Sequence, residues 1–456
     1  MTPEEFSKRR SRLMQMMGGD SIAILPAAPQ QVRNRDVEHV YRPDSDFTYL
    51  TNFPEPEAIA VLIPGRKQGQ FVLFCRERDP NLETWNGRRA GLEGAIENYA
   101  ADDAFPIADV DDILPGLMEN KERVYYAMGT HPDLDQRMIE WLKRVRSKAR
   151  TGVNAPGEFV TLDHLLHEMR LIKSATEIRA MKKAAKISAE AHCRAMQACQ
   201  PGKMEYQIEA EIVHHFMDNG CRHAAYPSIV GGGENGCILH YTENDAELQA
   251  GDLLLIDAGA EYDGYAADIT RTFPVSGKFS VAQKALYEVV LAAQKAAIEE
   301  VQPGNHWNAP HQAAVKVLTK GLIKLGILKG TPAKLIKQEA YRRFYMHRTG
   351  HWLGMDVHDV GDYKVDGEWR ILEAGMVLTI EPGLYIPSGS KGVTRKWWNT
   401  GIRIEDDVRV TRRGHEVLTD GAPKEVHEIE ALMSANKTVA RKKTARKKAA
   451  RQKRLF

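Results

Sequence analysis

Residues 248–257 read LQAGDLLLID, and residues 372–381 read LEAGMVLTIE. Leu, Ala, Gly, Leu and Ile recur in register, and each copy closes on a carboxylate, Asp257 in the first and Glu381 in the second. Such a repeat constrains the fold strongly, because each copy must build the same supersecondary unit. The surroundings repeat as well. YAADITRT (265–272) follows the first copy and carries Asp268, while GIRIEDDVRV (401–410) follows the second and carries Glu405. Gln200-Pro201-Gly202 and Gln302-Pro303-Gly304 each end one helical stretch and precede another. The chain from about 170 to 430 therefore reads as a twofold repeat of a helix–helix–hairpin unit. Two such units face to face would bring four carboxylates to one centre.

The first hairpin has a definite register. Asp263-Gly264 is a favoured two-residue turn because glycine accepts positive φ without a steric penalty. That turn sets Asp257 opposite Thr270 and leaves Asp268 two residues from this partner on the same face. Diagonal neighbours on one face of a hairpin lie roughly 7–8 Å apart, close enough for two inward carboxylates to hold a metal. Two solvated strand-end acids are the alternative. The run Asp252–Ile256 is too apolar for an exposed strand and argues against it. In 401–410 the alternation sets Ile402 and Ile404 on one face and Arg403 and Glu405 on the other. Arg403 is thus expected to steady a carboxylate.

Three histidines, His347, His351 and His358, fall within HRTGHWLGMDVHD at 347–359. No HExxH pattern is present there, and the Gly and Val content predicts a loop rather than a helix. Beside four repeat-related acids, this cluster points to a metal site. The stretch YPSIVGGGENGCILHY opens on Tyr226 and ends near His240, which is expected at a rim where the glycine loop returns to a strand. Gly231–Gly233 lacks the Lys-Ser/Thr and the spacing of a P-loop.

Before the repeat, residues 1–168 read as a compact α/β domain. Strands are expected at 58–63, 70–75 and 123–128, and helices at 4–17 and 133–148. ETWNGRRAG at 83–91 is read as a loop exposing Trp85 beside two arginines. Asp36 and the stretch 41–49 are read as similarly open. A boundary is expected within 150–170, where Gly152, Asn154, Pro156 and Gly157 cluster. The second domain, 169–432, opens on a capping box, Ser174 with Glu177. Helices are expected up to Cys199 and at 205–219, 280–301 and 310–325.

At 43% hydrophobic and 27% charged, the composition is that of a soluble globular protein. No apolar run approaches the roughly 20 residues that span a bilayer. The N-terminus, MTPEEFSKRRSRL, has no apolar signal core. Cys75, Cys193, Cys199, Cys221 and Cys237 are an odd set without a CxxC pair, which predicts reduced thiols and a cytoplasmic protein. Ten of the 63 basic residues fall after residue 434, leaving 53 against 61 acidic ones elsewhere. Residues 433–456 thus read as a basic, disordered tail. Contact with nucleic acid through it is conceivable, though it lacks the aromatic residues that stack on bases.

Taken together, HRTGHWLGMDVHD, the strands bearing Asp257 and Asp268, EPG at 381–383 and GIRIED at 401–406 resemble the pita-bread metallopeptidases, and among them the aminopeptidase P family. The resemblance covers about 1–430. It implies an α/β N-terminal domain followed by an α+β pita-bread catalytic domain with a pseudo-twofold repeat. It implies five metal ligands, Asp257, Asp268, His351, Glu381 and Glu405, all present in this chain. Hard oxygen donors with one imidazole suit two divalent ions, Mn²⁺ before Fe²⁺, Co²⁺ or Zn²⁺. The implied activity is release of the first residue from peptides with proline second, by attack of a hydroxide that bridges the metals. His240 and His358 would contact the substrate and its tetrahedral oxygen, and Glu381 would shuttle a proton. His347, Arg403, Tyr226, Trp85 and Asp36 are the expected substrate-side residues. Prolidase, methionine aminopeptidase and a non-catalytic binding paralogue are the competing readings. Family members are dimers or tetramers, in which a loop like 83–91 would complete a neighbour's site with Trp85.

Overall fold

The computed structural model describes residues 1–434; the basic tail expected beyond them lies outside the described residues. The chain forms two compact units, Met1–Met169 and the part from Arg170 onward.

The first unit is built on one six-stranded sheet. Its order is Asp103–Pro106, Phe71–Cys75, Ile59–Leu62, Ser21–Pro26, Arg123–Tyr126 and Glu158–Thr161. Phe71–Cys75, Ile59–Leu62 and Ser21–Pro26 pair antiparallel in that order, and the other three strands join in parallel. Near-continuous apolar runs such as Phe71–Cys75 are fully buried, as strands covered on both faces require. Val110, Leu114, Leu134, Met138 and Trp141 supply the helical side of the core.

Two expectations are corrected in this unit. Residues 83–86 are not loop: the helix Pro80–Asn86 includes them, started by Asp79 accepting from the backbone of Asn81 and Leu82. The stretch 41–49 is not open either. Asp44 caps the helix Ser45–Thr51, whose Phe47 and Tyr49 are buried. The glycine cluster at 152–157 precedes Glu158–Thr161, which pairs with Arg123–Tyr126.

In the second unit the repeat becomes visible as hydrogen bonds. The helices Ala175–Ala198 and Glu205–Asp218 precede the first hairpin, and Val281–Glu299 and Ala309–Lys324 precede the second. Ser174 and Glu177 form the capping box. At the junction between paired helices, Gly202 donates to the Leu248 carbonyl at 2.9 Å and Leu248 donates back to Lys203. At the same place in the second half, Gly304 donates to Leu372 at 3.0 Å and Leu372 donates back to Asn305. Leu248 and Leu372 are the first residues of the two repeat copies, so the sequence echo marks one structural joint used twice.

The first hairpin has the expected register: Asp257 faces Thr270, Tyr262 faces Tyr265, and Asp263 and Gly264 both take positive φ. The second is divided. Val377–Ile380 pairs with Asp406–Thr411, and Gly383–Ile386 pairs with Thr400–Arg403. One register runs through both ladders and sets Glu381 opposite Glu405 in the gap between them. GIRIEDDVRV is therefore two strands, interrupted at Glu405, rather than one. The halves meet where Glu405 donates from its backbone to the Thr270 carbonyl at 3.1 Å and Thr272 Oγ1 donates to the Arg403 carbonyl at 3.0 Å. The expected tail start at 433 is also too early, since the last helix runs through Ser434 and Met433 packs into the core.

Candidate metal centre

The two hairpins enclose a cavity of 490 Å³, lined by Tyr226, His240, Asp257, Asp268, His347, His351, His358, Glu381, Arg403 and Glu405 among others. Pro227, Ile229, Leu239 and Val357 form an apolar part of the wall. Ten of the twelve residues expected at the site from the sequence thus surround one space. The other two, Asp36 and Trp85, belong to the N-terminal unit and are not among the lining residues. Asp36 is exposed in a turn, and Trp85 is 84% exposed on its short helix.

The strand Leu253–Asp257 ends on Asp257, which is almost buried. Its carboxylate is held from two sides. Arg403 donates from Nη2 to Oδ2 at 2.5 Å, and Tyr226 donates from Oη to Oδ1 at 2.6 Å. Tyr226 also meets Asp268 Oδ1, so one hydroxyl bridges the two aspartates. Asp268 is steadied from behind, where its backbone N–H donates to Asp407. Across the pseudo-axis, Thr270 Oγ1 donates to Glu405 Oε2 at 2.7 Å. Fully buried Arg271 donates to the Glu405 carbonyl and to Asp406, fixing the backbone on which Glu405 sits. The Glu381 backbone donates to the Thr349 carbonyl at 2.7 Å, which docks the second repeat strand against the histidine loop.

His351 Nδ1 donates to its neighbour's carbonyl, Trp352 O, at 2.9 Å. Nε2 therefore faces the acids, 3.3 Å from Asp268 and 3.9 Å from Glu381. An imidazole fixed in this way by its other nitrogen has the arrangement of a metal ligand. One ligand atom each from Asp268, His351 and Glu405 lie within 4.8 Å of one another.

The charge balance also fits cations. Burial raises Glu405 well above the usual carboxylate range, and Asp268, Glu381 and Asp257 push it further; Glu381 is raised to about 7 by burial against the pull of His351 and Arg403. Burial disfavours the His351 imidazolium, but Asp268 outweighs it and raises the ring to about 9. Four carboxylates, three of them buried, with one arginine hold more negative charge than protein groups neutralise, and divalent ions meet that demand.

The remaining histidines differ. His347 donates from Nδ1 to the Arg348 carbonyl at 2.7 Å and lies 2.9 Å from Tyr385 Oη through Nε2. Burial, aided by Arg403, lowers it to about 3, so it is neutral. His358 is exposed at the cavity, with its ring 4.3 Å from that of His351; burial and then His351 lower it. His240 lines the cavity from a turn rather than from the start of a strand.

Sequence reasoning missed Tyr385, Thr270 and Asp407. Tyr385 accepts from Arg403 Nη1 at 3.0 Å, and Thr270 accepts from Arg403 Nε at 3.1 Å. The signal was present for two of them: Thr270 is the register partner of Asp257, and Asp407 is the third acid of EDD.

Residues 179–412 match metallopeptidase family M24, and residues 6–125 match the aminopeptidase P N-terminal domain. An Xaa-Pro aminopeptidase of Escherichia coli is 46% identical over 433 residues, covering 95% of this chain and 98% of the relative. The structure of Pseudomonas aeruginosa aminopeptidase PepP superposes with a TM-score of 0.95 at 60% identity, over 96% of this chain and 99% of that one. Zn-substituted E. coli aminopeptidase P in complex with product gives a TM-score of 0.93 at 46% identity, over 96% and 99% of the two chains. With its carboxylate-rich centre between two repeat-related hairpins, the chain belongs to metallopeptidase family M24, with the pita-bread catalytic fold and an aminopeptidase P N-terminal domain.

Proposed function

We propose that this protein is an Xaa-Pro aminopeptidase that releases the first residue of peptides with proline second. The observation that carries the reading is the convergence of Asp268, His351 and Glu405 within 4.8 Å in a cavity that Asp257 and Glu381 also line. In this reading Asp257, Asp268, His351, Glu381 and Glu405 would hold two divalent ions, with Asp268 and Glu405 placed to be shared between them. Mn²⁺ is the assigned metal, from the hard oxygen donor set with a single imidazole. Such ions acidify a water and polarise the scissile carbonyl when bound.

The chain's own groups do the rest. Arg403 and Tyr226 fix the Asp257 carboxylate, so the first hairpin presents its acids without searching rotamers. Glu381 takes the proton of the attacking water on a carboxylate oxygen and carries it to the prolyl nitrogen. That nitrogen is a tertiary amide without N–H, so it needs a delivered proton and offers no hydrogen to a site acceptor. His240 and His358, on the cavity wall, hydrogen-bond the substrate and the oxygen that becomes tetrahedral. Neutral His347 orients the peptide beside Tyr385. Ile229, Leu239 and Val357 supply apolar surface for the side chain of the first residue and the pyrrolidine ring.

We place the protein in the cytoplasm as a homodimer or homotetramer; all five cysteines are free thiols, which supports a reducing compartment. No helix among the described residues is long and apolar enough to cross a membrane. Trp85, held out at 84% exposure, is assigned to a neighbouring subunit's site, and Asp36 is kept as a substrate-side residue. The division into an N-terminal domain to residue 168 and a catalytic domain over 169–432 belongs to the same reading.

The test uses metal-stripped protein before and after Mn²⁺ is added, with an Xaa-Pro dipeptide and an Xaa-Pro-Yaa tripeptide. Metal-dependent cleavage of the tripeptide after its first residue is expected. Cleavage of the dipeptide alone would make the enzyme a prolidase, and metal binding without cleavage of either would remove the enzymatic reading.

A further inference from the structure

His358 faces the cavity, yet its ring makes no hydrogen bond among the described residues; its close ring neighbour is His351. Its place is therefore inherited from the backbone that carries it. That backbone is unusually constrained. Asp359 donates from N to the Trp352 carbonyl at 2.9 Å, and Gly354 donates to the Asp356 carbonyl at 3.1 Å, so the loop closes on itself. Gly354 in turn accepts from the backbone of Ala266 at 2.8 Å, two residues before Asp268.

The loop is pinned at one side chain. Asp359, next to His358, turns away from the cavity and is 1% exposed. Arg170 Nη2 donates to its Oδ1 at 2.5 Å and Lys173 Nζ donates to its Oδ2 at 2.9 Å, both from deep burial. Arg170 also reaches Asp356 Oδ2 at 2.7 Å. Both cations precede the capped helix Ala175–Ala198. Gly354 leaves the carboxylate room: a Cβ there would lie 2.0 Å from Asp359 Oδ2 and 3.0 Å from Lys173 Cε.

Three charges buried together do not by themselves favour folding over an apolar packing of similar volume. Their geometry does something apolar packing does poorly, which is to fix one backbone point by directional bonds. None of the three lines the cavity, whereas the residue beside Asp359 does. We propose that Asp359, anchored by Arg170 and Lys173, is a positioning residue that holds His358 at the substrate. The proposal rests on the aminopeptidase reading above.

The experiment is a double-mutant cycle on the full, Mn²⁺-loaded protein with the Xaa-Pro-Yaa tripeptide. Asp359→Asn is made alone and in a His358→Ala background. Alone it is expected to lower kcat about 100-fold, the scale of a misplacement near one ångström, with KM little changed. With His358 already removed, the further loss should stay under about threefold, because coupled sites do not add. Lys173→Met keeps the Arg170 bond and serves if Asp359→Asn does not fold; it should show a smaller loss with the same non-additivity. Bound metal is measured in every variant. An equal fold-loss in both backgrounds, or loss of metal from Asp359→Asn, would overturn the proposal. An inactive wild-type protein would instead refute the activity reading, so the two failures are distinct.

Discussion

Arg403 donates to Asp257 at 2.5 Å and so ties the second hairpin to the first across the pseudo-axis. The same guanidinium serves Thr270 and Tyr385, and it is buried. Removing it would leave an acid inside the protein whose burial already outweighs its partner's attraction, as its raised position indicates. Arg403→Ala should destabilise the protein by about 3–5 kcal/mol, the cost of breaking a buried pair. Arg403→Lys keeps the charge but not the fork and should remain impaired, with kcat/KM down about 100-fold. Denaturant titration and steady-state kinetics on both variants check this; wild-type behaviour of the lysine variant would contradict it.

Chelation should abolish activity, and Mn²⁺ should restore it. The crowded acids make a further expectation possible. Metal binds the folded centre and not the dispersed ligands, so added Mn²⁺ should raise the melting temperature, by the equivalent of about 2.7 kcal/mol at a hundredfold excess over Kd. Elemental analysis should find about two ions per chain, because carboxylates shared between ions are the mark of a two-metal site. A melting temperature indifferent to metal would count against the centre.

Much of this was legible in the sequence, and the physical reason is the turn. Once Asp263-Gly264 is accepted as a two-residue hairpin, counting outward gives Asp257 opposite Thr270, as observed. The second half has no such short turn, and its register could not be counted; Glu381 facing Glu405 came only from the ladders. The histidine loop was found because three imidazoles stand close in sequence. Tyr385 was missed because its role depends on where strands from distant parts of the chain meet. In the N-terminal unit, polar caps misled: Asp44 and Asp79 start short helices where open loop was expected.

Gly259 sits where the first hairpin crosses over itself. A Cβ there would lie 1.7 Å from the Ala267 carbonyl oxygen, a backbone atom with no freedom to withdraw. Asp257 and Asp268 flank this contact. Gly259→Ala should therefore spread the two acids and lower metal affinity as well as stability, beyond the 0.5–3 kcal/mol typical of about any single substitution. Gly157→Ala, with nothing near its added carbon, is the control and should be silent within about 0.5 kcal/mol. Calorimetric metal titration of the two variants separates the outcomes; normal metal affinity in Gly259→Ala would refute the crossing argument.

Asp359 gives a stability that depends on pH in a definite direction. Burial alone would raise its carboxyl, but Lys173 and Arg170 outweigh burial and hold it below the ordinary value. The unfolded chain titrates near pH 3.9, so around that pH the folded state binds fewer protons than the unfolded one. The contribution is then complete above about pH 5 and is lost as pH falls through the lowered folded-state value. Asn at this position does not titrate. The stability gap between wild type and Asp359→Asn should be flat, at about 3–5 kcal/mol, near neutral pH and should shrink below about pH 4. Urea denaturation of both metal-free proteins across that range measures the gap, and carboxylates common to both cancel in the difference. A gap that persists unchanged to pH 3 would mean that Asp359 is not held as an anion by Arg170 and Lys173.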